Sequence, residues 1–222
     1  MAFDIDEWLK NFTKGLGEVF GDRLVFAGIQ GSRGRGEASE TSDIDVVVVL
    51  DKVSTDDLKT YDAFISGLPR RDMVCGFICG REELECWERS DLFHLCYDTQ
   101  PLVGSLSPFS AKITRLDAKR AVLTGACDIY HACCHNFLHE KSSEVLSAIY
   151  KAAFFTLRAK YFCETGKFVR RRSELVELVA VGEKELLLPP EGETFEAAEG
   201  RLLAWSAKAM REYGANIADI SD

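Results

Sequence analysis

Apolar residues recur between Phe3 and Phe20 at Ile5, Trp8, Leu9, Phe12, Leu16 and Val19, close to the 3.6-residue period that gives a helix one buried face. Gly21-Asp22 interrupts the pattern as a turn. Leu24 to Ile29 is a short continuous apolar run and predicts a strand, and the glycines at 31, 34 and 36 mark the loop after it. Asp43 to Leu50 predicts the clearest strand of the chain, because its four consecutive valines are too uniform for a half-exposed position. Ser54, followed by Asp56 and Asp57, opens a helix that runs to about Gly67. Met73 to Cys79 predicts a third strand, Glu82 to Arg89 a short helix, and Leu102-Val103 a weaker fourth strand after Pro101. From about Asp117 the pattern is helical only, over 116–141, 142–164, 173–181 and 196–213, with Pro189, Pro190 and Gly192 marking a long loop. A mixed module over residues 1–115 and a helical domain over 116–222 follow from this change of character.

Composition narrows the class. A chain of 222 residues with 46% apolar and 28% charged positions is globular, and it buries roughly 70% of its unfolded surface without disulfide staples. No apolar run reaches the ~18 residues that cross a bilayer. The amphipathic, acidic N-terminus lacks the pattern of a secretory signal, so a cytoplasmic location is expected. A net charge of −9 makes long nucleic acids unfavourable partners. The eight cysteines form no CxxC pair, which predicts reduced, mostly buried thiols and disfavours a structural zinc site.

The chemistry is concentrated in Gly28 to Leu50, GIQGSRGRGEASETSDIDVVVVL. Side chains two apart on a strand share a face with their Cα atoms ~6.6 Å apart, so Asp43 and Asp45 present two carboxylates together while Ile44 enters the core. Two convergent carboxylates suit Mg²⁺, a hard cation that completes its shell with water and substrate phosphates. Gly31 lets the main chain approach a phosphate, Ser32 adds a hydroxyl and an N–H, and Arg33 and Arg35 can offset phosphate charge.

A Gly-Ser pair, ten residues, then Asp-Ile-Asp on an apolar strand resembles the nucleotidyltransferase superfamily of DNA polymerase beta. GSRGRG in particular resembles the minimal and the antibiotic nucleotidyltransferases, including the kanamycin and aminoglycoside type. The resemblance implies an α+β fold, a small mixed sheet flanked by helices and followed by a helical domain. It implies that Asp43 and Asp45 bind metal, that Gly31 and Ser32, with Arg33, contact the nucleotide, and that ATP is the donor. Residues 151–177 are similar to the helical domain that follows the catalytic module in the antibiotic enzymes.

The family carries a third carboxylate on a neighbouring strand. Aligning the end of the third strand puts Gly76 at that position; aligning its start selects Asp72, which shares parity with Val74, Gly76 and Ile78. Two functions remain open. One is a metal-dependent nucleotidyltransferase that moves an NMP group to a hydroxyl of a small molecule or protein side chain, with Asp43, Asp45 and Asp72 catalytic. The other is a catalytically impaired nucleotide- or partner-binding protein of the same fold, antitoxin-like or regulatory. Expected partners are a nucleoside triphosphate and a hydroxyl acceptor, with a homodimer left open and no membrane. Outside this segment, His131, His135 and His139 at i, i+4, i+8 could bind a transition metal, supply a base or form a packed helix face. Lys167 with Arg170–Arg172 could clamp an anion or simply solvate a linker, and Lys151 and Arg158 are further candidates for phosphate contact.

Overall fold

The structure, a computed structural model, describes residues 3–188 and 192–218. Pro189 and Pro190 of the expected loop lie outside the described residues. The chain forms two compact units, one comprising residues up to 88 with 95–112, the other 89–94 with the residues from 113 onward.

The first unit is built on a four-stranded mixed sheet of order β3-β2-β1-β4, with β1 Leu24–Gln30, β2 Ile44–Leu50, β3 Val74–Gly80 and β4 Gln100–Val103. β1 runs antiparallel to β2 and β4, while β2 and β3 are parallel. Helix α1, Ile5–Phe20, starts at Asp4, whose carboxylate accepts the Asp6 and Glu7 N–H groups. Its apolar stripe Trp8, Phe12, Leu16 and Phe20 packs in one core with Ala27 and Ile29 of β1 and Ile44, Val46, Val48 and Leu50 of β2. Residues 46–50 are fully buried on both faces of the central strand, which is why that run is uninterrupted. Gly31–Arg35 forms a short helix, α2, where the sequence indicated a loop. Helix α3, Thr55–Ser66, begins with the Ser54–Asp57 capping box.

Beyond β3, helix α4 spans Arg81–Glu85 and α5 spans Arg89–Asp98. The pattern gave one short helix ending at Arg89. It missed α5 because the fully buried apolar side chains there, Leu92 and Phe93, are adjacent and make no 3.6-period stripe. Helix α6, Ser107–Ser110, closes this unit.

The second unit is helical: α7 Arg115–His135, a π turn Asn136–Glu140, α8 Ser143–Thr165, α9 Arg172–Leu178, α10 Val181–Lys184 and α11 Phe195–Ala218. Its core includes Ile129, Leu146, Ile149, Phe154, Leu157, Leu175 and Leu202. Arg158 is fully buried, its guanidinium within 4.7–5.0 Å of the Phe154, Phe155 and Phe168 ring centres, and it donates to the Arg170 carbonyl. Its expected role in phosphate contact is therefore corrected: it orders the segment after α8. Arg172 lies over Phe154 and donates to the Leu187 carbonyl, and Arg171 pairs with Glu174, so this part of the basic cluster is engaged in packing. No helix among the described residues is long and apolar enough to cross a membrane.

Candidate active site

The site grows from the β1–β2 hairpin of the first unit. Gln30, the last residue of β1, pairs with Asp45 on β2. The chain then turns at Gly31 with φ +69, and a Cβ there would lie 1.9 Å from Asp45 Oδ2. No side chain fits, so the main chain and the carboxylate are in direct contact. Asp43 sits just before β2 and is exposed, while Asp45 is half-buried. Ser32 and Arg33 follow on α2, both half-buried.

Three tethers fix α2. Arg33 donates through Nε and Nη2 to the Ser42 carbonyl at 3.0 and 2.7 Å, which clamps the segment that delivers Asp43. The same guanidinium covers the Phe3 ring at 5.1 Å. Arg35 is buried and pairs with Asp98 at 2.8 Å and Glu37 at 3.1 Å. Gln100 donates its amide to the Gly34 carbonyl. Arg35 is thus compensated by two carboxylates, and the expectation that it offsets phosphate charge is corrected: burial and pairing make it a structural bracket. Ser42, Asp98 and Gln100 were not singled out from the sequence, since each acts through partners 9 to 66 residues away.

Asp72 lies, exposed, in the tight turn Arg71–Met73 that leads into β3. β2 and β3 are parallel with Ile44 beside Val74, so Asp72 precedes its strand at the same end of the sheet where Asp43 precedes β2. The parity argument is overturned. Asp45 pairs with Cys75, so Cys75, Phe77 and Cys79 share its face, and Val74 and Ile78 face the core with Val46 and Val48. Gly76, at φ +147, would place a Cβ 2.0 Å from the Val46 carbonyl oxygen, so position 76 has no room for an acid. Burial, with a smaller contribution from Glu83, pushes the Cys79 thiol up to about 12, while Cys75 is exposed.

Asp43 and Asp45 offer oxygen donors alone. The glycine cradle against Asp45 leaves that carboxylate reachable from the main chain of Gly31, a donor set suited to a hard divalent cation that keeps water and phosphate ligands. Among the described residues no group of three His, Cys, Asp or Glu side chains is placed to hold a metal. The histidine stripe falls under that result. The His131, His135 and His139 rings lie side by side at 6.4 and 5.0 Å, and His135 approaches Glu140 at 3.4 Å.

Residues 9–92 match the family model of the nucleotidyltransferase domain. A solved structure with the same fold is spectinomycin adenyltransferase AAD(9) from Enterococcus faecialis, determined with ATP and spectinomycin. It aligns over 91% of this chain and 99% of its own at a TM-score of 0.58 and 14% identity, a likeness of fold. No curated protein matches by sequence.

Proposed function

We propose that the chain transfers a nucleoside monophosphate from ATP to a hydroxyl of a small molecule or a protein side chain, with Asp43 and Asp45 as ligands of a magnesium ion, a reading supported by the match of residues 9–92 to the nucleotidyltransferase domain model. The observation that carries this reading is the contact of the Gly31 main chain with the Asp45 carboxylate, which leaves no space for any side chain between them. Such closeness is needed where a triphosphate must meet backbone N–H groups and a carboxylate-held cation together. Bound there, the ion supplies charge neutralisation for the triphosphate and the departing pyrophosphate.

The chain's own residues do the rest. The N–H groups of Gly31 and Ser32, at the start of α2 and without intrahelical partners, face phosphate oxygens together with the Ser32 hydroxyl. Arg33 keeps the Ser42–Asp43 segment in place through the Ser42 carbonyl. The acceptor hydroxyl attacks the α-phosphorus, the bond to the bridging oxygen breaks, and pyrophosphate leaves. Asp72 takes the hydroxyl proton, a role worth about 10²–10⁴-fold where a base is well placed. A small-molecule acceptor is supported by the solved relative, which holds ATP with spectinomycin.

One observation favours a second reading, a nucleotide-binding protein without turnover: the face of β3 beside Asp45 carries Cys75, Phe77 and Cys79 and no acid. Incubation with Mg²⁺, α-labelled ATP and a panel of hydroxyl acceptors separates the two. The transferase reading expects pyrophosphate release with label on an acceptor, lowered about 10³-fold by Asp43→Asn or Asp45→Asn. ATP binding without release across the panel overturns it and supports the second reading.

A further inference from the structure

Three of the chain's four histidines, His131, His135 and His139, lie along the end of α7 and the π turn after it, and all three are exposed. The π turn decides which of them meet. Its Lys141 N–H donates to the Asn136 carbonyl, five residues back, at 2.7 Å, the bond of a widened helical turn. In an α-helix, five steps of about 100° would carry Glu140 away from His135. The wider turn instead sets both His139 and Glu140 over His135. The His135 and His139 ring centres are 5.0 Å apart, and His135 Nε2 is 3.4 Å from Glu140 Oε1. Asn136 pins this turn from inside: it is fully buried, donates to the Ser142 carbonyl and to Glu199, and accepts from the Ser142 N–H. The backbone beneath the exposed side chains is therefore held in place.

These separations have the dimensions of a metal chelate. A zinc–nitrogen bond of about 2.0–2.1 Å, and about 1.2 Å from nitrogen to ring centre, place each ring centre about 3.2 Å from the ion. Two imidazoles on a tetrahedral ion then have their centres about 5.2 Å apart, and on a linear one about 6.4 Å. The His135–His139 pair, at 5.0 Å, matches the tetrahedral value, whereas the His131–His135 pair, at 6.4 Å, stands at the linear limit. Among the described residues no three side chains converge on a metal position. A two-imidazole chelate needs no third, since water completes the shell, and the Glu140 carboxylate adds a negative charge beside the ion. Imidazole nitrogen selects a borderline ion such as Zn²⁺ over Mg²⁺, which prefers oxygen.

We infer that His135 and His139 chelate a zinc ion at the π turn, with Glu140 balancing part of its charge. The site lies wholly in the helical unit, uses no residue of the sheet site and does not rest on the reading of that site. Both rings already stand on one pinned turn, so little ordering opposes binding.

The test is a titration of the full chain, its thiols kept reduced and excess Mg²⁺ present to occupy all-oxygen sites, with ZnCl₂ by calorimetry and with CoCl₂ by absorbance. The expected result is saturable one-to-one binding of Zn²⁺ and a Co²⁺ ligand-field spectrum without a thiolate charge-transfer band. His135→Asn and His139→Asn are each expected to weaken binding at least tenfold, and Glu140→Gln about threefold, the scale of an exposed charge pair. His131→Asn, on the same exposed stripe, is expected to stay within threefold of the parent chain. All four positions are exposed, so these variants keep the fold, which metal-free thermal unfolding checks. Affinity unchanged in His135→Asn or His139→Asn marks an adventitious ion only and overturns the inference. A thiolate band at the first equivalent, a loss in His131→Asn equal to that in His139→Asn, or no saturable binding overturns it as well.

Discussion

Replacing Gly31 by alanine probes the contact on which the site is built. Two effects act at once. The left-handed backbone at φ +69 costs an L-residue about 1–2 kcal/mol. The new methyl would also lie 1.9 Å from Asp45 Oδ2, and an ordinary contact begins near 3.4 Å, so the carboxylate must retreat by about 1.5 Å. A misplacement of about 1 Å at a reacting centre costs on the order of 10²-fold in rate, near 2.7 kcal/mol of barrier. Gly166→Ala is the matched control: φ is +73 and the nearest atom to its added methyl is 3.9 Å away, so it carries the strain without the collision. Urea unfolding of Gly31→Ala, alone and with Asp45→Ala, isolates the contact. In the Asp45→Ala background the substitution is expected to cost only the strain, which gives a coupling of about 1 kcal/mol or more. Pyrophosphate release is expected to fall about 10²-fold in Gly31→Ala and to stay within about threefold in Gly166→Ala. Additive unfolding energies, or equal activities of the two alanine variants, would refute the reasoning.

Other perturbations follow from the same framework. Cys75 is exposed and registers beside Asp45, so Mg²⁺–ATP is expected to slow its alkylation by iodoacetamide while exposed Cys86 is unaffected, as read by peptide mass spectrometry; equal protection of both would contradict the placement. Hydrogen bonds from Arg23 and then from Ser54 hold the Asp57 carboxyl well below its ordinary 3.8. Its contribution to stability is therefore fully present above about pH 4 and lost as pH falls toward its lower folded value, so the stability gap between the parent chain and Asp57→Asn should narrow steadily as pH falls below about 4 and be smaller at pH 2 than at pH 5. Asp98→Ala removes a buried carboxylate partner of Arg35 and is expected to destabilise the first unit by about 3 kcal/mol in urea unfolding, at the low end for a broken buried pair.

The hairpin that bears the candidate site was legible as a fold element because its signals are local: a valine run, two acids two residues apart, and a glycine where the chain must turn. The helix at Gly31–Arg35 was not, since two glycines in five residues argue for a loop, and it is Ser42, Asp98 and Gln100 that pin it. The role of Arg35 escaped for the same reason, because whether a charge is buried depends on partners far along the chain. Arg158 looks like surface charge on a long helix until three phenylalanines are seen around it. At β3 the difficulty was one of phase. Counting along β3 cannot tell which of its faces lies beside Asp45, and the pairing of Asp45 with Cys75 gives that face to Cys75, Phe77 and Cys79, while Asp72 lies in the turn before the strand.

The most direct measurement of the central claim is a crystal structure of the chain grown with Mn²⁺ and a nonhydrolysable ATP analogue, with the ion located by anomalous scattering. The account predicts an ion bound by the carboxylates of both Asp43 and Asp45, with triphosphate oxygens completing its shell and a phosphate against the Gly31 and Ser32 N–H groups. An ordered analogue lying elsewhere, or an ion that touches neither carboxylate, would contradict it.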